Sequence, residues 1–232
     1  MPSANPTGDL SMSEKLSFKA RQFLAREDAI LDAANRLLGE KGYDLMSLDD
    51  IAAAVGIAKG SVYKHFPSKE ALAAATMTRL LHRTVEEARG LPTHAPAIDR
   101  LRALLGWCLR ERMAGGVPRL PSTSPGLQSS LLDHLGYLDA METLDTMLTA
   151  WVDEARANGA LRDDLPVAVI LFTIYARSCD PTLEFLRAAG EWSDDQIVAF
   201  MVDTCFAGIG KAPAASAPST GAEASGAVAQ LG

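Results

Sequence analysis

Between Ser47 and Phe66 two short apolar-periodic segments meet at Gly56, and the second carries lysines, a tyrosine and a histidine but no acid. Ser47 reads as an N-cap: its hydroxyl can accept the backbone N–H near Asp50, whose carboxylate then sits by the positive end of the new helix. Ile51, Ala52 and Val55 follow at helical spacing. Gly56 takes the left-handed conformation in which a Cβ would clash, which allows a tight turn at Val55-Gly56-Ile57. In the second segment Val62 and Phe66 share the inner face, which leaves Gly60, Ser61, Tyr63 and Lys64 pointing away from it. His65 lies nearer the inner side and is expected to pack. Pro67 ends this segment, and Ser68 with Glu70 and Ala71 starts another helix. The pattern predicts a helix-turn-helix.

The outward face has the chemistry that duplex DNA requires. DNA offers phosphates to cations and helix N-termini, and base edges in a major groove about one helix wide. Lys59, Lys64 and Lys69 supply cations; Gly60 permits close backbone approach; Ser61 can bond a phosphate or a base edge; Tyr63 can bond a phosphate oxygen while its ring covers a thymine methyl. A helical hairpin with a solvated lysine face would share this spacing. From Ile51 through Ser68, however, there is no Asp or Glu, in a chain of net charge -7, and that local depletion favours a polyanionic partner.

The order of elements from Arg26 to Leu72, AANRLLGEKGY followed by SLDDIAAAVGIAKGSVYKHFPSKEAL, closely resembles the N-terminal DNA-binding region of the TetR family of bacterial transcription regulators. The resemblance includes the turn Gly56, Tyr63, the Phe66-Pro67-Ser68-Lys69 exit and Leu72. It implies an all-α homodimer in which an N-terminal three-helix helix-turn-helix DNA-binding domain joins a C-terminal helical ligand-binding and dimerisation domain. It also implies phosphate contacts from Ser47, Tyr63 and Lys69, and base or groove contacts around Lys59, Gly60, Ser61 and Lys64. Two positions depart from the family pattern. Leu38 replaces the usual aromatic, and Ala58 replaces a Ser or Thr cap, a loss that costs about 1 kcal/mol.

Charge is unevenly distributed. Through residue 70 there are 9 basic and 10 acidic residues, against 13 and 19 in the remainder, so a nearly neutral head precedes an acidic body. This fits DNA binding through a small local surface on each of two subunits rather than a DNA-coating protein. No stretch approaches the ~20 apolar residues of a membrane span, and the first residues lack the apolar run of a secretory signal, so a cytoplasmic protein without membrane contact is expected. Cys108, Cys179 and Cys205 are too scattered for a disulfide framework, and His82, His94 and His134 too scattered for a metal site. No cofactor is expected.

The organisation expected is a flexible arm over 1–22, the DNA-binding domain over 23–70, a ligand-binding and dimerisation domain over 71–210, and a disordered tail over 211–232 rich in Ala, Ser, Pro and Gly. Helices are expected over about 25–41, 68–89, 97–113, 127–135 and 137–158, with a loop at 115–126. The first of these carries Ile30, Ala33, Ala34, Leu37 and Leu38 as one stripe. Residues 165–178, LPVAVILFTIYARS, are apolar almost all round, and a last helix begins at Ser193 with Gln196 completing a capping box. Val169, Phe172, Ile197, Phe200, Met201 and Cys205 on these two segments are the candidates for contact with a second copy. Trp107, Met113, Met141, Trp151, Phe172 and Tyr175 are candidates to line an apolar cavity, with Arg110, His134 or Arg177 as polar anchors for a small hydrophobic effector.

The function expected is a homodimeric repressor released from a palindromic operator by that effector. A DNA-binding regulator without a small-molecule ligand is the alternative, favoured by a body with no cavity. An all-helical enzyme is a third class, against which stand the lack of a nucleophile elbow, a phosphate-binding glycine loop, metal-ligand spacing and an acid/base pair.

Overall fold

The computed structural model describes residues 17–117 and 125–210. The expected tail over 211–232, residues 1–16 of the expected arm and residues 118–124 of the expected loop lie outside the described residues. Among the described residues the regular elements are ten helices: α1 Phe18–Leu45, α2 Leu48–Val55, α3 Lys59–Tyr63, α4 Lys69–Gly90, α5 Ala97–Met113, α6 Pro125–Leu132, α7 Leu135–Ala157, α8 Val167–Ser178, α9 Thr182–Ala189 and α10 Asp194–Ile209.

Local chemistry sets most of the boundaries. Ser47, Ser68 and Ser193 each cap a helix with a side-chain oxygen that accepts an N–H of the first turn, and Ser47 and Ser193 complete capping boxes with Asp50 and Gln196. Gly56 closes α2 at φ 72°. Gly42 breaks α1 near its end at φ 75°. Five residues assigned to the arm are helical instead, because α1 begins at Phe18. Ser17 accepts from Ala20 N at 3.2 Å, and Phe23 stacks on the His65 ring at 4.0 Å, which gives the first turns both a cap and an apolar anchor.

The protein has two cores. The head core joins Ile30, Ala34, Leu37 and Leu38 of α1 to Leu48 and Ile51 of α2, Val62 of α3, Phe66, and Leu72 and Ala73 of α4. Body residues from Val85 to Ile209 form the second core, with Leu101, Leu105, Leu109, Val152, Ile170 and Ile197 among its most enclosed members. The division falls within α4, which supplies both cores. The head core also takes in Leu127 of α6, which is 1% exposed although α6 follows α5 in the chain. Asn35 donates to Gly115 O at 3.2 Å and Arg79 pairs with Asp32 at 2.8 Å, which adds polar ties between α1 and the rest.

Inside the body, Arg100 is nearly enclosed. It pairs with Glu154, and its guanidinium lies 5.0 Å from the centre of the Trp151 ring. The buried hydroxyls of Thr76, Thr78 and Thr84 on α4 each donate to the carbonyl four residues earlier, which satisfies them within the helix.

Candidate functional site

The second helix of the helix-turn-helix is held from beneath and open above. Val62 is fully buried and Phe66 nearly so, whereas Lys59, Gly60, Tyr63 and Lys64 are exposed and Ser61 is half-buried. A Cβ built at Gly60 would meet no atom of the protein, so the room this glycine leaves lies outside the chain. His65 turns inward between the Phe23 ring and Glu27, whose Oε2 lies 3.4 Å from Nδ1. Ala58 caps α3 without a side-chain bond, so this short helix depends on Val62 and on the turn before it.

The lysines differ in how free they are. Lys64 pairs with no acid among the described residues. Lys59 Nζ donates to Asp49 Oδ2 at 2.7 Å, a partner that DNA would have to displace. Lys69 donates to Asp44 O at 3.3 Å with its ammonium 4.4 Å from the centre of the Tyr43 ring, while the Tyr43 hydroxyl donates to Glu70 Oε1 at 2.9 Å. This arrangement fixes Lys69 at the start of α4. Burial, then the Glu70 bond, pushes the Tyr43 hydroxyl up to about 12.

The Ser47 hydroxyl is engaged within the chain. It donates to Asp50 Oδ2 at 2.7 Å and accepts from Asp50 N at 3.1 Å, and Lys41 donates to Asp50 Oδ1 at 3.0 Å. The Ser47 bond first, and Lys41 next, hold the Asp50 carboxyl at about 2 against an ordinary 3.8. A depressed carboxylate stabilises the fold above its unfolded pKa and loses that contribution as pH falls through its folded one. The cap on α2 is therefore expected to hold down to about pH 4 and to be lost between about pH 4 and pH 2. An NMR titration of the Asp50 carboxyl in wild type and in Ser47→Ala checks this, with a midpoint near 2 that rises toward the ordinary value in the variant.

The body holds a partly open cavity of about 310 Å³ between α4, α5, α7 and α8. Trp107, Met141 and Tyr175 line it. The other candidates sit elsewhere. Trp151 belongs to the body core beneath Arg100; Phe172 is 69% exposed and meets the Tyr175 ring edge-on without lining the cavity; Met113 lines a neighbouring recess between head and body; Arg110 is exposed. His134 accepts from Tyr137 N and meets Thr78 Oγ1 at 3.2 Å, so it caps α7. Arg177 pairs with Asp180 at 2.7 Å. Leu81, Leu104, Leu105, Leu144 and Ile174 complete the apolar wall. They read in the sequence as ordinary core residues, and no local signal separates them from it.

Among the interface candidates, Val169, Phe172 and Phe200 are exposed, but Ile197, Met201 and Cys205 are buried in the body core against α5. These three are corrected to core positions, since α10 turns that stripe toward its own domain. Phe185 at 74% and Trp192 at 37% are exposed large apolar side chains that the sequence pattern does not single out.

A capped helix-turn-helix carried by a long helix into a helical body defines the class of helix-turn-helix regulators. Residues 30–76 match the family described as bacterial regulatory proteins, tetR family. The head is 52% identical over 46 residues to the biofilm operon icaADBC HTH-type negative transcriptional regulator IcaR of Staphylococcus aureus, covering 20% of this chain and 25% of IcaR. It is 37% identical over 70 residues to the HTH-type transcriptional regulator YvdT of Bacillus subtilis, covering 30% of this chain and 36% of YvdT. The chain therefore spans only about a quarter to a third of these relatives in sequence. The fold extends further. A TetR-family transcriptional regulator from Agrobacterium tumefaciens superposes with a TM-score of 0.59 at 21% identity, covering 81% of this chain and 99% of that one. FadR from Bacillus subtilis, solved in complex with stearoyl-CoA, superposes with 0.58 at 16% identity, covering 78% and 98%.

Proposed function

We propose that the protein is a homodimeric transcriptional repressor whose two α3 helices occupy successive major-groove half-sites of a palindrome, and which a small apolar ligand in the body releases from DNA. The observation that carries this reading is the outward face of α3: Lys59, Gly60, Tyr63 and Lys64 are exposed on a helix whose inner face is locked by Val62 and Phe66. The expected DNA contacts are those of Ser47, Lys59, Gly60, Ser61, Tyr63, Lys64 and Lys69. Ser47 contributes through the helix N-terminus it caps, because its hydroxyl is occupied. Two heads held at a fixed separation select half-sites one or more helical turns apart.

A second copy is the partner that suits the exposed apolar side chains of α8 to α10. Val169, Phe172, Phe185, Trp192 and Phe200 are too many and too large to leave in water on a stable monomer. Phe172→Glu is expected to convert a dimer into a monomer with little change in its own fold, because the side chain is 69% exposed within one chain. Sedimentation equilibrium reads the mass directly. A variant that stays dimeric removes this face from the proposal.

The cavity supports the ligand-responsive form over a regulator without an effector. Its walls come from α4, which carries the head, and from α5, α7 and α8, so an occupant that spreads them also moves the connector. A repressed state populated at 99:1 is reversed only by a ligand that distinguishes two conformations by about 5.5 kcal/mol. The test is a mobility-shift assay on DNA flanking the protein's own gene. A specific shift is expected, and its absence contradicts the reading.

A further inference from the structure

The first turns of α1 carry cations that the helix-turn-helix itself does not use. A helix advances about 100° per residue, so Lys19, Phe23, Arg26 and Ile30 fall on one stripe roughly 60° wide. Ile30 anchors that stripe in the head core. Toward the helix start the same stripe overhangs the core: Lys19 and Arg26 are exposed, and Phe23 is 47% exposed with its ring stacked on His65 at 4.0 Å. The inner face of an amphipathic helix ordinarily carries apolar side chains, so cations on its overhanging end are placed for a partner outside the chain.

Their charge is uncompensated. From Ser17 through Arg26 there is no Asp or Glu. Neither the Lys19 nor the Arg26 side chain has an ion pair or hydrogen bond among the described residues. Glu27, the first acid that follows, turns its carboxylate to His65 Nδ1 at 3.4 Å, and Asp28 falls on the opposite side of α1. Other cations of the head are engaged: Arg36 with Glu40, Lys41 with Asp50, Lys59 with Asp49, and Lys69 with Asp44 O. The head has 9 basic and 10 acidic residues through residue 70, so only its unengaged cations reach a polyanion without breaking an existing contact.

The stack on His65 sets the overhang beside the C-terminal end of α3, where Lys64, also without an acid, stands next in the chain to His65. We propose that Lys19 and Arg26 bind the sugar-phosphate backbone bordering the groove that α3 enters, so that each head grips DNA through two elements; this rests on the DNA-binding reading of α3 and extends it to α1. Duplex DNA carries one charge per ~1.7 Å of its axis, so phosphates line the walls of any groove a helix enters. An arginine fork and a lysine point charge both suit them. Such contacts set grip and register and carry no sequence information.

Filter binding across a salt series tests this with the full chain on the palindrome it selects and on palindromes changed at one base pair per half-site. The Lys19→Ala, Arg26→Ala double variant is expected to lower the slope of log K against log salt by about 4 for the dimer. At about 0.1 M salt its affinity is expected to fall by between roughly 60-fold, one contact per protomer, and roughly 4,000-fold, both contacts. All the palindromes are expected to weaken by the same factor, with the melting temperature unchanged, because both side chains are exposed. Arg36→Ala, which removes another exposed α1 cation, is expected to leave the slope as it is. Phosphate-ethylation interference is expected to lose one or two backbone positions per half-site in the double variant alone. A double variant with wild-type affinity and slope, a change in the preferred sequence, or an equal effect of Arg36→Ala overturns the inference while the reading of α3 stands. A wild-type chain without specific DNA binding sinks both.

Discussion

Tyr63→Ala and Lys64→Ala are expected to weaken specific DNA binding by between roughly 30-fold and roughly 20,000-fold each, while the melting temperature stays within about a degree of wild type. The magnitude follows from symmetry. A groove or phosphate contact of this kind is worth about 1–3 kcal/mol, and a two-fold complex loses it at both half-sites, with each 1.4 kcal/mol a factor of ten. The unchanged stability follows from exposure, since neither side chain contributes to the head core. The two variants also separate by salt. Lys64→Ala removes one cation per protomer, so the slope of log K against log salt falls by about 2 for the dimer, whereas Tyr63→Ala leaves it nearly unchanged. Filter binding across a salt series checks both statements. A Lys64→Ala protein with wild-type affinity and slope contradicts the orientation assigned to α3.

Leu127→Ala is expected to destabilise the protein by about 2–5 kcal/mol, a large part of the ~5–15 kcal/mol that holds a domain together. Leu127 is 1% exposed and lies among Ile30, Leu37, Leu72 and the rest of the head core, although it belongs to a helix between α5 and α7. Its removal leaves a void that α1 and α4 cannot close without tilting. A fall in melting temperature of roughly 5 to 15 °C is the expected reading for a chain of this size. Leu132→Ala on the same helix, where the side chain is 65% exposed, is expected to change it by about 2 °C or less. Because α6 also continues into α7, whose Tyr137 and Met141 line the cavity, Leu127→Ala is further expected to weaken DNA binding beyond what its stability loss explains. Affinity measured well below the melting transition separates the two effects.

How much of the molecule was legible in the sequence depends on the distance over which each feature is determined. The caps at Ser47, Ser68 and Ser193, the reversal at Gly56 and the span of α5 from Ala97 to Met113 were readable, because each is fixed by a few neighbouring residues. The outward set on α3 was readable for the same reason, since Val62 and Phe66 four apart leave only one face for Gly60, Tyr63 and Lys64. Long-range placement was not. Ile197, Met201 and Cys205 carry the same apolar stripe whether it meets a partner or α5 of its own chain, and the structure turns it inward. Trp151 could equally have faced a cavity, but Arg100 lies over its ring. Ser47 was a cap and a phosphate ligand at once in the sequence, and the closed capping box leaves its hydroxyl only the first role. The start of α1 at Phe18 depends on Phe23 meeting His65, a contact between residues 42 apart that no local pattern encodes.

The central claim is that α3 of two associated protomers reads one DNA duplex. Selection of bound fragments from a random DNA pool by the full chain tests it most directly. The expected result is recovery of a palindrome whose half-site centres lie one or more helical turns apart, and its loss when Tyr63 and Lys64 are both replaced by Ala. Recovery of sequences with no two-fold symmetry, or of the same palindrome by the double variant, would contradict it.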